Sequence, residues 1–209
     1  MAILEEHCIL NVLTDEILSE CEPFTCGDDD MDEFFRNDAL SYTRYKMGKS
    51  YCFRMKDDVS IIVACFTVSN DSIRIYDLPS SRRNAMWGLT HREKILTRYP
   101  GVLIGRLAVS SHYSKMGIGS EVLVFIKMWF LDDRNKIGCR FTIVDAKNES
   151  KILHFYERNG FNYLFPHEVD EDLYTKPLKN EQDAKERKLN PRKLRTRLMF
   201  LIYLKIKSA

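Results

Sequence analysis

The chain has 209 residues, of which 44% are hydrophobic and 30% are charged. This composition is ordinary for a soluble protein, and the length suits one domain with a full core, with or without an appendage. The 32 Lys and Arg residues nearly balance the 30 Asp and Glu residues, for a net charge of +2, so overall charge does not indicate a nucleic-acid-binding protein and any such surface must be a local patch.

The cysteines and the two termini bear on compartment and metal content. None of the six cysteines forms a C-x-x-C pair, and their spacing matches neither a zinc site nor a disulfide framework. Cys65 and Cys139 lie in apolar runs, which is typical of core thiols. The N-terminus lacks the features of a signal peptide. The apolar run at 198–206 is far shorter than the roughly 20 residues that span a bilayer. We therefore expect a cytoplasmic protein without metal or membrane contact.

The first half of the chain predicts strands around one long helix. Three aspartates at residues 28–30 suit a helix N-terminus, and apolar residues then recur at helical spacing. Residues 71–100 mix basic side chains with Trp87, and we expect part of this stretch to be helical and to end at Pro100-Gly101. The predicted elements are a strand at 8–13, a helix at 28–45, and strands at 51–55 and 61–68 joined by a turn at 56–58.

The second half predicts a regular alternation. A strand at 102–109 leads into a helix at 118–130 with one apolar face, and a strand at 140–144 leads into a helix at 150–159 that ends at Gly160. A strand at 161–164, a charge-rich insertion at 166–197 and a final strand at 198–206 complete the chain. This order predicts one domain of mixed α/β or α+β class, spanning residues 1–209.

The most informative segment spans residues 109–119, with the sequence Val-Ser-Ser-His-Tyr-Ser-Lys-Met-Gly-Ile-Gly. It joins an apolar strand directly to an amphipathic helix. Gly117 and Gly119 let backbone N–H groups approach a ligand, and the helix N-terminus adds unpaired donors and partial positive charge. The segment therefore predicts a pyrophosphate-binding loop, although two glycines alone also suit an ordinary turn or cap. It is not a P-loop, because Gly-Lys-Ser/Thr is missing.

A second motif follows at residues 145–161, Asp-Ala-Lys-Asn-Glu-Ser-Lys-Ile-Leu-His-Phe-Tyr-Glu-Arg-Asn-Gly-Phe. Together the two motifs resemble those of the GNAT acetyltransferases: Gln/Arg-x-x-Gly-x-Gly/Ala after a strand, then an aromatic residue, Tyr, two variable residues, Gly and Phe. The resemblance implies a twisted mixed sheet with helices on both faces, splayed near residues 109 and 144 to admit acetyl-CoA. It assigns cofactor binding to Leu107, Ala108, Val109, Ser114, Lys115, Met116, Gly117, Ile118, Gly119 and Ser120.

This sequence departs from the first GNAT motif at one position. Ser114 stands where the family has Gln or Arg, so one polar contact to the pyrophosphate is missing. We expect the backbone donors of residues 115–120 to carry most of the binding, with the Lys115 side chain as a substitute.

The second motif supplies two further candidate site residues. The resemblance implies that Tyr156 is the general acid that protonates the leaving CoA thiolate, whereas the pattern alone fits a core tyrosine on a helix face with Ile152 equally well. Asn148 either contacts the pantetheine arm of the cofactor or caps the helix that begins at Ser150.

Two further segments resemble the toxin-type GNAT enzymes. Residues 24–27 read Phe-Thr-Cys-Gly before an amphipathic first helix, and residues 105–109 read Gly-Arg-Leu-Ala-Val. These enzymes acetylate the free amino group of aminoacyl-tRNA and arrest translation. The resemblance implies aminoacyl-tRNA as acceptor and an antitoxin as partner, and a second copy of the chain is a further candidate partner. The rival hypotheses are an acetyltransferase of a protein or small-molecule amine, and a catalytically silent acyl-CoA-binding or partner-binding module.

Two observations bear on the acceptor. The strand at 102–109 contains no Asp or Glu to act as a base, which fits an α-amine of pKa about 7.7–8.0 better than a lysine of pKa about 10.4. The alternative is that another segment of the chain supplies the general base. The following cations form either an RNA-facing surface or a solvated face: Arg82, Arg83, Arg92, Lys94, Arg98, Lys176, Lys179, Lys185, Arg187, Lys188, Arg192, Lys193, Arg195 and Arg197.

Overall fold

The computed structural model describes residues 3–88, 96–176 and 180–203. In chain order its elements are α1 (Ile3–His7), β1 (Cys8–Val12), α2 (Asp15–Glu20), α3 (Asp29–Glu33), α4 (Ala39–Arg44), β2 (Lys49–Met55), β3 (Ile62–Arg74), α5 (Ser80–Gly88), β4 (Arg98–Val109), α6 (Ile118–Leu131), β5 (Phe141–Lys147), α7 (Ser150–Arg158), β6 (Asn162–Tyr163), α8 (Glu168–Thr175), α9 (Glu181–Leu189) and β7 (Thr196–Ile202). The strands form a seven-stranded sheet in the order β1-β2-β3-β4-β5-β7-β6. Within the described ranges, no helix is both long and apolar enough to cross a membrane.

The chain divides into two compact units. The first comprises Met1–Asn70 and Leu103–Ile137, and the second comprises Asp71–Val102 and Gly138–Ala209. Strands β3 and β4 each run from one unit into the other, so each unit is described here by its own strands and helices.

In the first unit, β1, β2 and β3 pair antiparallel, with Cys52 opposite Cys65. Residues 50–53 of β2 and 62–68 of β3 are buried without a break, as expected for strand segments that are covered on both faces. On one face, Phe53 contacts Phe125 of α6, with ring centroids 5.1 Å apart. On the other face, Cys52 and Cys65 belong to the core cluster that contains Phe35. Helices therefore lie on both faces of this part of the sheet.

The predicted helix at 28–45 forms, but not as one regular α-helix. The three aspartates lie at the N-terminus of α3 as expected, and Asp28 also caps the helix through its side chain. A π-helical turn, Phe34–Asp38, separates α3 from α4, and its hydrogen bond runs from the Ala39 N–H to the Phe34 carbonyl. One turn thus takes in an extra residue, which apolar spacing alone does not indicate.

In the second unit, β7 pairs antiparallel with both β5 and β6. Helix α7 ends as predicted at Gly160, whose φ is +85°. The Phe161 N–H donates to the Tyr156 carbonyl at 3.0 Å, which is the hydrogen bond of a Schellman motif. A side chain at Gly160 would also meet Leu201, 3.3 Å from the Cβ position.

The prediction for residues 98–102 was wrong, because these residues belong to β4. Pro100-Gly101 was expected to end a helical stretch, but it lies inside the strand. The Pro100 carbonyl accepts a hydrogen bond from the Arg140 N–H at 2.9 Å. Proline can take this position in the strand because only its carbonyl is used and no backbone N–H is needed. A Cβ at Gly101 would lie 2.8 Å from the Ile143 Cδ1 atom, so this glycine allows close packing rather than a turn.

Several other predicted boundaries were wrong. Strand β3 continues six residues beyond the predicted end at 68, β5 spans Phe141–Lys147 rather than 140–144, and β6 has two residues rather than four. The insertion at 166–197 contains helices α8 and α9, and β7 begins at Thr196. Helices α1 and α2 were missed. The predictions that fall on 89–95, 177–179 and 204–206 lie outside the described residues.

Candidate functional site

The loop between β4 and α6 is anchored at its start by backbone hydrogen bonds. The Ser110 N–H donates to the Val63 carbonyl, and the Ser111 N–H donates to the Thr25 carbonyl, both at 2.9 Å. A 3-10 turn at Ser111–Tyr113 follows. The loop is therefore held both by β3 and by the segment that precedes α3.

The segment at 24–27 is itself held by Asp32. The Thr25 hydroxyl donates to Asp32 Oδ2 at 2.5 Å, and the Cys26 N–H donates to Asp32 Oδ1 at 2.8 Å. Burial acts to raise the pKa of Asp32, but the hydrogen bonds from Thr25 and Cys26 bring it below its usual value. Sequence reasoning noted this segment only as a resemblance and missed Asp32, whose spacing of seven residues from Thr25 carries no recognisable signal.

The tip of the loop presents unpaired backbone donors. Among the described residues, none accepts a hydrogen bond from the successive amides of residues 115–119. The next amide, that of Ser120, donates to the Gly117 carbonyl at 2.9 Å. Because residues 115–117 are exposed, their donors are accessible to a ligand. The N-terminus of the 14-residue helix α6 adds partial positive charge, so the loop suits an anion such as a pyrophosphate.

Two left-handed residues shape this cradle. Gly117 has a φ of +85° and Lys115 has a φ of +65°. The Cβ position of Gly117 meets nothing within 4 Å, so the space over the amides is open. A non-glycine residue in this conformation costs about 1–2 kcal/mol, which the fold sustains at Lys115. Lys115 is exposed at the cradle, and its substitution for the side chain that Ser114 lacks stays a prediction.

The structure gathers most of the predicted cofactor residues in one unit. Leu107, Ala108 and Val109 end β4, and residues 114–120 form the loop and the first turn of α6. Ala108 is buried in the core of this unit. Asn148 and Tyr156 belong to the second unit, after β5 and on α7.

Tyr156 has features both of a core tyrosine and of a general acid. Its ring packs against Phe155 and Phe161, with centroids 5.1 and 5.2 Å away, as a core tyrosine would. Burial raises the pKa of its hydroxyl to about 12, so the hydroxyl is protonated at neutral pH. A packed ring with a protonated hydroxyl is what an oriented proton donor requires.

Asn148 does not cap α7, so that prediction was wrong. The capping position is Glu149, which makes no side-chain capping bond. The Asn148 Nδ2 group donates instead to the Leu194 carbonyl at 2.9 Å, and its backbone N–H donates to the Arg195 carbonyl at 2.9 Å. The side-chain amide of Asn148 is thus bonded to a residue that is distant in sequence. A contact between Asn148 and the cofactor stays a prediction.

The acidic and thiol groups differ in their environments. Asp145 on β5 has a pKa raised first by desolvation and then by nearby Asp71. Burial raises the pKa of Cys65 and of Cys139, so neither suits a nucleophile, in line with their expected structural role. Within the described residues, no group of three or more His, Cys, Asp or Glu side chains is arranged to hold a metal ion.

Four of the cations considered as an RNA-facing surface or a solvated face are bonded within the protein. The Arg197 Nε atom lies 2.8 Å from a Glu171 oxygen, Arg187 pairs with Asp183 at 2.7 Å, and Arg82 donates to two backbone carbonyls. Lys176 is also paired, with Asp172 at 2.6 Å. Arg92, Lys94 and Lys179 lie outside the described ranges. The exposed cations that remain between 180 and 196 are Lys185, Lys188, Arg192, Lys193 and Arg195.

Comparison with known proteins assigns the fold. No family model matches the sequence. The structure is similar to a mutant of KacT, with 16% identity and a TM-score of 0.64 over 95% of this chain and 96% of that chain. It is also similar to AtaT complexed with acetyl-methionyl-tRNAfMet, with 19% identity and a TM-score of 0.61 over 77% and 89% of the two chains. AtaTR bound with AcCoA gives 18% identity and a TM-score of 0.62 over 95% of each chain. The predicted mixed α/β fold of the GNAT type is confirmed.

Proposed function

We propose that the chain is an acetyl-CoA-dependent N-acetyltransferase whose acceptor is the α-amino group of aminoacyl-tRNA. The observation that carries this proposal is the run of unpaired amides at residues 115–119, at the start of α6. A pyrophosphate offers the acceptors that these donors lack. The neighbour bound with AcCoA has the same fold, which supports acetyl-CoA as the ligand.

Tyr156 is the proton donor in this proposal. The acceptor nitrogen forms a bond to the acetyl carbonyl carbon and loses a proton to solvent, while the carbon–sulfur bond breaks and the CoA sulfur takes a proton from the Tyr156 hydroxyl. The tyrosinate then regains a proton from solvent. A pKa of about 12 keeps the hydroxyl protonated before each turnover.

The acceptor follows from proton chemistry and from charge. Strand β4 contains no carboxylate, and an α-amine of pKa about 7.7–8.0 is partly neutral at pH 7, whereas deprotonating a lysine costs about 4–5 kcal/mol. The neighbour AtaT was solved with acetyl-methionyl-tRNAfMet, which supports a charged tRNA. Exposed Arg192, Lys193 and Arg195 suit contact with its phosphates.

An antitoxin is the protein partner that this proposal implies. AtaT was also solved bound to the C-terminus of its antitoxin AtaR. We expect a small partner protein that blocks acetyl transfer by this chain.

One observation favours the second candidate, an acetyltransferase of a protein or small-molecule amine. Asp145 lies in the same unit as Tyr156, and desolvation and Asp71 raise its pKa. A carboxylate of raised pKa is suited to take a proton from a more basic amine. The Asp145→Asn variant distinguishes the two candidates, because it should leave transfer to an α-amine nearly unchanged and should slow transfer to a lysine.

The experiment offers radiolabelled acetyl-CoA with bulk aminoacyl-tRNA, deacylated tRNA and a lysine-rich protein in parallel. We expect label on the charged tRNA alone, weakening steeply as salt increases. Label on the protein with none on charged tRNA would promote the second candidate. No detectable acetyl-CoA binding by calorimetry at millimolar ligand would exclude both.

A further inference from the structure

An open groove of about 330 Å³ lies in the first unit, against the helical segment that contains the π turn. Its walls combine three aromatic rings and a thioether with one acid and one guanidinium group. The residues that form it are Phe34, Asp38, Ser41, Tyr42, Tyr45, Met47 and Arg106.

Two of the three aromatic rings are fixed in place by packing. Phe34 and Tyr42 meet edge to face, with centroids 5.8 Å apart. Gly48 allows the Tyr42 ring to approach the backbone, because a Cβ there would lie 3.2 Å from two ring atoms. Tyr45 is 78% exposed and Met47 is 55% exposed, so this side of the groove presents apolar surface to solvent.

The π turn brings an acid to the same groove. Phe34 and Asp38 are the first and last residues of the turn, and π turns occur frequently at functional sites. The Asp38 side chain makes no capping bond, and no described residue forms an ion pair with it. Its carboxylate therefore retains its full capacity to accept hydrogen bonds.

Arg106 retains most of its donors. Its guanidinium carbon lies 5.0 Å from the centroid of the Phe34 ring, and Nη1 donates to the Gly105 carbonyl at 3.1 Å. The Nε atom is buried and has no acceptor among the described residues. Since a guanidinium group has five N–H donors, the groove has unused donors on one side and unused acceptors on the other.

The aromatic rings and the unused hydrogen-bonding groups together indicate which kind of ligand fits the groove. An apolar side chain would cover Asp38 and Arg106 without satisfying either, which is unfavourable for buried charged groups. A nucleobase has a flat face for stacking on tyrosine and an edge that both donates and accepts hydrogen bonds. We infer that the groove binds a nucleobase near the 3′ end of the RNA acceptor, stacked on Tyr45, with its edge toward Asp38 and Arg106. The identity of the RNA rests on the proposed function.

The test measures whether one base and Tyr45 act together. A fluorescein-labelled RNA tetranucleotide, ACCA, and the same oligomer with an abasic 3′ residue are titrated by anisotropy in saturating acetyl-CoA. We expect wild-type protein to bind the complete oligomer about 5- to 150-fold more tightly, the range for stacking of one base on an aromatic ring. Tyr45→Ala should abolish most of that difference and Tyr45→Phe should keep it.

The controls separate the groove from general surface effects. Met128→Ala changes a methionine that is 59% exposed on α6, close to the 55% of Met47, and should keep the full base dependence, whereas Met47→Ala and Arg106→Lys should reduce it. Equal weakening by base removal in wild type and Tyr45→Ala would overturn the inference. So would base-dependent binding that appears only without acetyl-CoA, since the groove would then hold the adenine of the coenzyme. If charged tRNA is not acetylated but the base dependence persists, the proposed function fails and the groove assignment stands.

Discussion

The loop at 114–120 and the segment at 166–197 use polar groups in opposite ways. The loop has one charged residue, Lys115, yet its backbone amides at residues 115–119 find no acceptor in the described part of the chain. The segment is rich in charge, yet Arg187 and Arg197 are paired with carboxylates of the same segment. A binding surface therefore depends on which donors the fold leaves without partners, and a count of charges does not reveal them.

Burial explains the pairing in the charge-rich segment. The side chains of Arg197 and Glu171 are 9% and 3% exposed, and an ion removed from water must regain its hydrogen bonds within the protein. Burial raises the pKa of Glu171 despite the hydrogen bonds from Arg197 and from the Leu198 N–H. These charges hold α8 against β7 and are not available to a ligand.

The largest effect should come from Tyr156, which lies outside both the loop at 114–120 and the segment at 166–197. Tyr156→Phe removes the proposed proton donor and keeps the packed ring, so kcat should fall about 10²–10⁴-fold while acetyl-CoA affinity stays similar. Steady-state kinetics and calorimetry measure the two quantities. The difference in tyrosinate absorbance between wild type and variant should titrate near pH 12, not near 10. An unchanged kcat in a folded variant would assign Tyr156 to packing alone.

The buried pair should give the next largest effect. Glu171→Ala removes the carboxylate nearest to buried Arg197 and leaves, among the described residues, only Glu168, 3.9 Å away, which should lower the free energy of unfolding by about 3–5 kcal/mol. Lys176→Ala is the matched control, because Lys176 is paired at 2.6 Å but 54% exposed, and its loss should cost about 0–1 kcal/mol. Urea unfolding compares the variants. Similar losses for both would mean that the segment's ion pairs do not hold it in place.

The loop can be tested with two glycines that share a conformation. Gly117 and Gly27 have φ of +85° and +81°, and the Cβ position of each meets nothing within 4 Å. Valine at either position should cost about 1–2 kcal/mol of stability or more through backbone strain. Only Gly117→Val should also raise the Kd for acetyl-CoA, by about tenfold or more, or about 1.4 kcal/mol. Equal acetyl-CoA affinity in the two variants would show that the cradle is not the binding site.

The smallest effect should come from the exposed cations. Reversing charge at Arg192, Lys193 and Arg195 should weaken charged-tRNA turnover and lower the salt slope by about one per lost phosphate contact. Acetyl-CoA affinity should not change. Lys136→Glu, another exposed cation, serves as the control. If the triple variant and the control behave alike, the segment's exposed charges form only a solvated face.

The sequence predicted the elements whose signals are local. The loop before α6, the Schellman end of α7 at Gly160 and the Asp28 cap each depend on a few neighbouring residues, so they were recognisable. The core strands β2 and β3 were also recognisable from their apolar runs, although the end of β3 was not.

The features that the sequence did not reveal depend on distant partners. Pro100-Gly101 was interpreted as the end of a helical stretch, because the packing of Gly101 against Ile143 involves residues that are distant in sequence. A helix cap was one of two alternatives for Asn148, and it was wrong because the side chain bonds to Leu194, 46 residues away. The buried state of Arg197 depends on Glu171, 26 residues earlier, so a count of cations placed it on the surface. The left-handed backbone at Lys115 had no signal, since lysine rarely adopts it.

The π turn at Phe34–Asp38 makes the groove sensitive to the length of the chain. Removing any one residue of the turn would let α3 and α4 join as a regular α-helix, in which each residue advances the chain by about 100° around the axis. Tyr42 and Tyr45 would then rotate away from Phe34 and Arg106, unless Ala39, fully buried in the core, gave up its place. A deletion of one codon therefore separates a protein with an aromatic groove from one with a plain helix face.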